Sequence, residues 1–138
     1  MHGEPRIQHL VEAAIYVRDL EAAEVFYAEL LGLDRFGGQP GRHVFFRVGE
    51  SVLLVFLAEA TLRGETLPAH GSVGPGHFAM GIAREHLAWW NAHLESHGVA
   101  IERRVDWPLG GKSLYFRDPS DNSVELVTPG CWGLDSGW

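Results

Sequence analysis

Apolar and polar residues alternate along Val11-Glu12-Ala13-Ala14-Ile15-Tyr16-Val17, the period-two pattern of a strand with one buried face. Val11, Ala13, Ile15 and Val17 share one side, and Glu12, Ala14 and Tyr16 share the other. The period then changes. Asp19 suits a helix N-cap, and Leu20, Ala23, Phe26 or Tyr27, Leu30 and Leu31 fall at helical spacing before Gly32, a natural stop.

The same order of events recurs. In residues 77–82, Phe78, Met80 and Ile82 alternate with His77, Ala79 and Gly81. A helix is predicted over about 85–97, with Leu87, Trp90 and Leu94 as its apolar stripe and Gly98 as its end. Each helix is followed by hairpin material. Strands are predicted at 43–48 and 51–56 around Gly49-Glu50, and at 113–117 and 123–127 around Asp118-Pro-Ser-Asp-Asn122. Phe46-Arg47 matches Phe116-Arg117, and Ser51-Val52-Leu53 matches Ser123-Val124-Glu125. Shorter strands near 33–36 and 99–105 complete the halves. The pattern predicts an α+β fold of two βαβββ modules in tandem, forming a curved half-barrel sheet with helices on its convex face. Module one spans about 8–58, a Gly- and Pro-rich linker about 59–75, module two about 76–130, and a C-terminal tail 131–138.

At 138 residues the chain fits one domain, and 46% hydrophobic with 21% charged residues is an ordinary globular composition. No apolar run approaches the roughly 20 residues that span a bilayer, and the start of the chain has no apolar signal core. A cytoplasmic protein is expected. The formal charge is −7, and Lys112 is the lone lysine among 11 basic residues. Such a surface repels phosphate backbones and anionic lipids, so neither nucleic acid nor membrane is an expected partner. Cys131 is the only cysteine, which excludes an intrachain disulfide and a Cys-rich zinc site. Any metal must be held by imidazole and carboxylate.

Strand parity sorts the candidates. If each strand's apolar set faces its helix, Glu12, His77 and Glu125 lie on the opposite side with Tyr16, Ser113, Tyr115 and Arg117. Taken singly, each has a plain reading. A carboxylate on a strand is usually solvated or salt-bridged, a lone histidine is usually a satisfied structural one, and Glu125 has Arg117 and Arg47 as candidate ion-pair partners. Together, two carboxylates and a histidine lining a hollow are costly unless they bind a cation. Glu12 and His77 hold equivalent repeat positions, so the symmetry is expected to set them side by side. The set suits a divalent ion such as Zn²⁺, Mn²⁺, Ni²⁺ or Fe²⁺, with open positions for substrate.

Glu12-Ala-Ala-Ile-Tyr-Val-Arg-Asp-Leu20 with Phe26-Tyr27 and Leu31-Gly32-Leu33, Gly76-His77-Phe-Ala-Met80, and Ser113-Leu-Tyr-Phe-Arg-Asp-Pro-Ser-Asp-Asn-Ser-Val-Glu125-Leu126 resemble the vicinal oxygen chelate superfamily. It holds glyoxalase I, extradiol dioxygenases, fosfomycin-resistance thiol transferases and bleomycin-binding proteins. The resemblance covers nearly the whole chain. It implies metal ligands at Glu12, His77 and Glu125, and a substrate that chelates the ion through vicinal oxygens. A carboxylate swinging off the metal, Glu12 or Glu125, would act as general base. Glyoxalase I has a fourth ligand, a Glu matched here by Leu53. That departure argues against glyoxalase I activity itself.

Further residues are candidates for contacting the substrate. Tyr115 and Arg117 share the face, with a structural role as the alternative. Arg47 is the repeat mate of Arg117. His70 reads as a group that supports a metal ligand or shuttles a proton, or as loop decoration, and Trp107 opens a Gly-rich segment that is a lid or a plain turn. His86, His93 and His97 lack a partnering acid and read as surface residues. The leading function is a metal-dependent enzyme of glyoxalase or dioxygenase type, a lyase, isomerase or oxygenase acting on a small molecule. The alternative is an antibiotic-binding or antibiotic-modifying resistance protein, like the bleomycin or fosfomycin proteins. Trp132 and Trp138 in the tail favour a dimer contact. The resemblance likewise implies a homodimer, with the site within one chain or shared between two.

Overall fold

The computed structural model describes residues 4–63, 68 and 70–138. Strand β1 (Glu12–Val17) leads into helix α1 (Leu20–Glu24), then come β2 (Asp34–Gln39), β3 (His43–Val48) and β4 (Ser51–Leu57). The second half repeats this with β5 (His77–Gly81), α3 (Leu87–Ser96) behind a 3₁₀ turn (Arg84–His86), β6 (Arg103–Asp106), β7 (Lys112–Arg117) and β8 (Ser123–Val127). The sheet orders are β1-β4-β3-β2 and β5-β8-β7-β6, with β1–β4 and β5–β8 parallel and the other pairs antiparallel. The α+β architecture of two four-stranded mixed sheets is as expected from the alternation, and neither sheet closes on itself. No helix among the described residues is long and apolar enough to cross a membrane.

The expected linker differs at its start. Residues Ala58–Arg63 continue from β4 as a short helix, α2, which Ala58, Glu59 and Ala60 favour by propensity. Positions 64–67 and 69 of that stretch lie outside the described residues.

Asp19 caps α1 by accepting from the Ala22 amide (3.1 Å), and Gly32 ends the helix at φ +71°. Between them the helix widens into a π-helical segment, Val25–Leu30. A wider turn brings successive residues inward, so Phe26 and Tyr27 are both buried, not one or the other. Their rings meet Phe116, Phe46 and Phe78, which makes one core from both halves. Burying such a ring is worth about 1.5–3 kcal/mol. His93 is less of a surface residue than expected, because its Nε2 meets the Leu30 carbonyl oxygen at 2.8 Å and its ring stacks on Trp89.

The Asp118–Asn122 turn locks the seam between the halves. The Asp118 carboxylate accepts from the Tyr27 hydroxyl, the Ser120 and Asn122 amides and the Asn122 side chain. Asn122 in turn donates to the Tyr16 carbonyl (3.0 Å) and accepts from the Gly76 amide (2.8 Å). The end of β1 is thereby tied to the start of β5. At the other end of the seam, Glu12 and Gly81 border one groove. The two edge strands therefore run in opposite senses.

Candidate metal centre

Strand parity holds on both sheets. Ile15, Val17, Val44, Phe46, Leu53 and Val55 are buried against the helices, as are Met80, Leu114, Phe116, Val124 and Leu126 in the second half. Glu12, His77 and Glu125 occupy the opposite, open faces. Within one chain they do not all meet. The antiparallel seam sets Glu12 and His77 at opposite ends of a five-residue strand, about 13 Å apart at 3.3 Å per residue, so the expected side-by-side placement does not hold inside a chain. Among the described residues, no three His, Cys, Asp or Glu side chains cluster closely enough to hold an ion.

His77 and Glu125 do meet, Nε2 to Oε1 at 3.3 Å. Glu125 is 6% exposed, a burial that a carboxylate tolerates only with strong partners. Ser113 Oγ donates to its other oxygen at 2.5 Å, and Trp107 Nε1 donates to Ser113 Oγ at 2.8 Å. His77 Nδ1 lies 3.1 Å from the Ser123 carbonyl oxygen. A carbonyl only accepts, so Nδ1 carries a proton and donates. In the neutral ring, Nε2 then presents its lone pair to a carboxylate oxygen. Two acceptors facing each other need a proton or a cation between them. Donors bound at about 2.0–2.2 Å to one divalent ion stand about 3–3.5 Å apart, so the observed spacing suits a shared ion. Such an Nδ1 bond is also the kind of outer support by which a ligating imidazole is held.

Tyr115 stacks on His77, with centroids 6.0 Å apart and planes 20° from parallel. Burial, then the Glu125 carboxylate, pushes its phenol up to about 12, which keeps it a neutral hydrogen-bond donor at physiological pH. Burial and Glu125 also raise Cys131, keeping that thiol protonated beside the site. The remaining candidates sit elsewhere. Arg117 forms a two-point pair with Glu102 (2.8 and 3.2 Å) and donates to the Asp121 carbonyl. Arg47 lies over the Phe36 ring at 4.3 Å and pairs with Asp34. His70 joins Tyr16 (Nδ1 to the hydroxyl, 2.6 Å) on the open face of the first sheet. The 107–111 segment is a turn, closed by the Trp107 amide on the Gly111 carbonyl (2.8 Å).

The strand registers correct the repeat alignment by one. Ala79, two residues after His77, pairs with Glu125, and Ala14, two after Glu12, pairs with Leu54. The mate of Glu125 is thus Leu54 on the open face, not Leu53, which is buried in the core. The mates of Tyr115 and Ser113 are Phe45 and His43. The first sheet's open face is accordingly aromatic, with Tyr16, His43, Phe45, Phe56 and His70 in mutual ring contact. Parity sets Ser113 beside Tyr115 on the open face, but no pattern in the letters points to its bond with Glu125. Trp138, expected from the tail as a dimer contact, packs on Gly81 of its own chain, where Gly81 is the small repeat mate of Tyr16.

Comparison with known proteins agrees with this architecture. Residues 6–126 match the family described as the Glyoxalase/Bleomycin resistance protein/Dioxygenase superfamily. A lactoylglutathione lyase from Agrobacterium tumefaciens is 35% identical, over 94% of this chain and 100% of that one, with a TM-score of 0.89. A glyoxalase/bleomycin resistance protein/dioxygenase from Nocardioides shares the fold at 19% identity, over 98% of this chain and 91% of that one, with a TM-score of 0.72. An integron cassette protein from the mobile metagenome of V. cholerae shares it at 23% identity, 91% and 98% coverage and a TM-score of 0.71. Carrying the repeat, the seam and the sequence match together, the chain belongs to the glyoxalase/bleomycin resistance/dioxygenase superfamily.

Proposed function

We propose that this chain is a metal-dependent enzyme, of lyase, isomerase or oxygenase type, acting on a small substrate that offers two neighbouring oxygens. The observation that carries the reading is the approach of His77 Nε2 to the buried Glu125 carboxylate at 3.3 Å. Glu12 supplies the third ligand from a second copy in a homodimer. One chain presents His77 and Glu125 on one open face and Glu12 on another, and a two-fold axis that joins unlike faces forms two identical sites. Zn²⁺, Mn²⁺, Ni²⁺ and Fe²⁺ suit the imidazole and carboxylate donors.

A divalent ion held there would polarise the substrate oxygens and stabilise negative charge as it develops. The chain's own groups divide the remaining work. Glu125, fixed by Ser113 and beside His77, is a static ligand. Glu12 is exposed on β1 and makes no side-chain hydrogen bond or ion pair among the described residues, so it is the carboxylate free to swing and take a proton. Tyr115, stacked on His77 with its phenol beside Glu125, lines the place where the substrate would sit. Leu54 leaves the set one carboxylate short of glyoxalase I, so the reaction assigned is of the wider class and not lactoylglutathione lyase chemistry.

Elemental analysis of the dialysed protein tests this. About one ion per chain, lost in His77→Ala and in Glu125→Ala, is the expected result. Metal-free wild-type protein that takes up no added divalent ion refutes the reading.

A second reading, an antibiotic-binding protein, draws on the aromatic face of the first sheet. It borders a cavity of about 630 Å³ that includes Glu12, Phe45, Phe56 and His70, a surface suited to a flat or cationic drug. Tight drug binding by metal-free protein would favour it.

A further inference from the structure

The segment after β8 turns back on itself. The Gly130 amide bonds the Gly137 carbonyl (2.8 Å), and the Cys131 and Trp132 amides both bond the Trp138 carbonyl (3.0 and 2.5 Å). This fold-back delivers the Trp138 indole to the open face of β5. A Cβ built on Gly81 would lie 2.7, 2.8 and 2.9 Å from three atoms of its six-membered ring. Three near-equal distances mean that the direction from Gly81 strikes the face of the ring, not its edge. One face of the indole therefore lies flat on the strand, and the other is turned away from the sheet. Trp138 is part-exposed and has no ring partner among the described residues. Gly81 lies two residues along β5 from Ala79, the neighbour of Glu125. The repeat mate of Gly81 is Tyr16, so a ring stands at this position in both halves, here supplied from outside the strand.

We propose that Trp138 is a flat subsite beside the His77–Glu125 centre, against which a planar or aromatic substituent of the chelating substrate stacks. This rests on the metal-dependent reading above. Aromatic stacking adds to area burial, so the subsite selects substrates by what lies beyond their two oxygens.

The test uses Zn²⁺-loaded protein and two chelating probes, acetohydroxamate and benzohydroxamate, with affinities from calorimetric titration. Both offer the same pair of oxygens, and only the second carries a ring. The wild type should bind benzohydroxamate about tenfold more tightly. In Trp138→Ala the preference should fall to about twofold or less, with acetohydroxamate unchanged. Gly81→Val keeps the tryptophan but displaces it from the strand, and should lose the preference in the same way. Equal binding of both probes by the wild type, or a preference retained in both variants, overturns the subsite alone. Tighter benzohydroxamate binding in Trp138→Ala also overturns it, by showing the indole to be an obstruction. Failure of the wild type to bind either probe overturns the metal reading and the subsite together.

Discussion

His77 and Glu125 stand on neighbouring strands with Nε2 and Oε1 3.3 Å apart, while the far nitrogen of the imidazole is committed to the Ser123 carbonyl. The ring cannot rotate its proton toward the acid without giving up that bond. Its outer nitrogen and the buried carboxylate are thus placed to share a proton or a cation between them.

The support behind the carboxylate gives the first prediction. Ser113 bonds Glu125 and receives Trp107, so Ser113→Ala removes a donor from a buried charged oxygen. Affinity for a divalent ion should fall by about 10–100-fold, as read by competition with a chromophoric chelator. Unchanged affinity would show that Glu125 needs no such orientation.

A second prediction concerns the seam. The Tyr27 hydroxyl donates to Asp118 at 2.9 Å in a buried site, and burial together with that carboxylate holds the phenol protonated. Tyr27→Phe leaves the ring packing intact and removes one bond to a charged group, so urea unfolding should show a loss of about 1.5–3 kcal/mol. A loss within about 0.5 kcal/mol, the range of ordinary surface changes, would mean that the Asp118 turn does not depend on it.

A third follows from His43. Burial, with Arg42 adding to it, lowers its pKa from the ordinary 6.5, so the unfolded chain takes up this proton more readily than the folded one. The stability tied to the neutral ring is complete above about pH 6.5 and is lost as pH falls from there through the lower folded value. Melting temperature should drop between about pH 7.5 and about pH 5, and by less in His43→Gln. An equal drop in the variant would remove His43 from the acid response.

Much of this was legible in the letters, and the reasons for the rest are physical. Alternation around Glu12, His77 and Glu125 fixed their faces, because parity is local to a strand. The direction of the seam was not local. It depends on Asn122 joining Tyr16 to Gly76, and no periodicity in β1 or β5 reports a contact between their ends. The one-residue slip between Leu53 and Leu54 has a similar cause, since Val52 to Leu57 carries no polar letter to mark its sides. The π-helical turn at Val25–Leu30 escaped because helical spacing offered Phe26 or Tyr27, and a widened turn takes both. Arg117 and Arg47 shared the parity of the site, yet found nearer acids in Glu102 and Asp34.

The most direct measurement is a mixing experiment. Glu12→Ala and His77→Ala variants are each purified without metal, then mixed equally, allowed to exchange subunits and assayed for tightly bound divalent ion. A site that takes Glu12 from one chain and His77 with Glu125 from the other is restored once in each mixed dimer, so the mixture should bind about one quarter of the wild-type metal under random two-fold pairing. A mixture that binds no more than either variant alone, although mixed dimers have formed, would contradict the shared site.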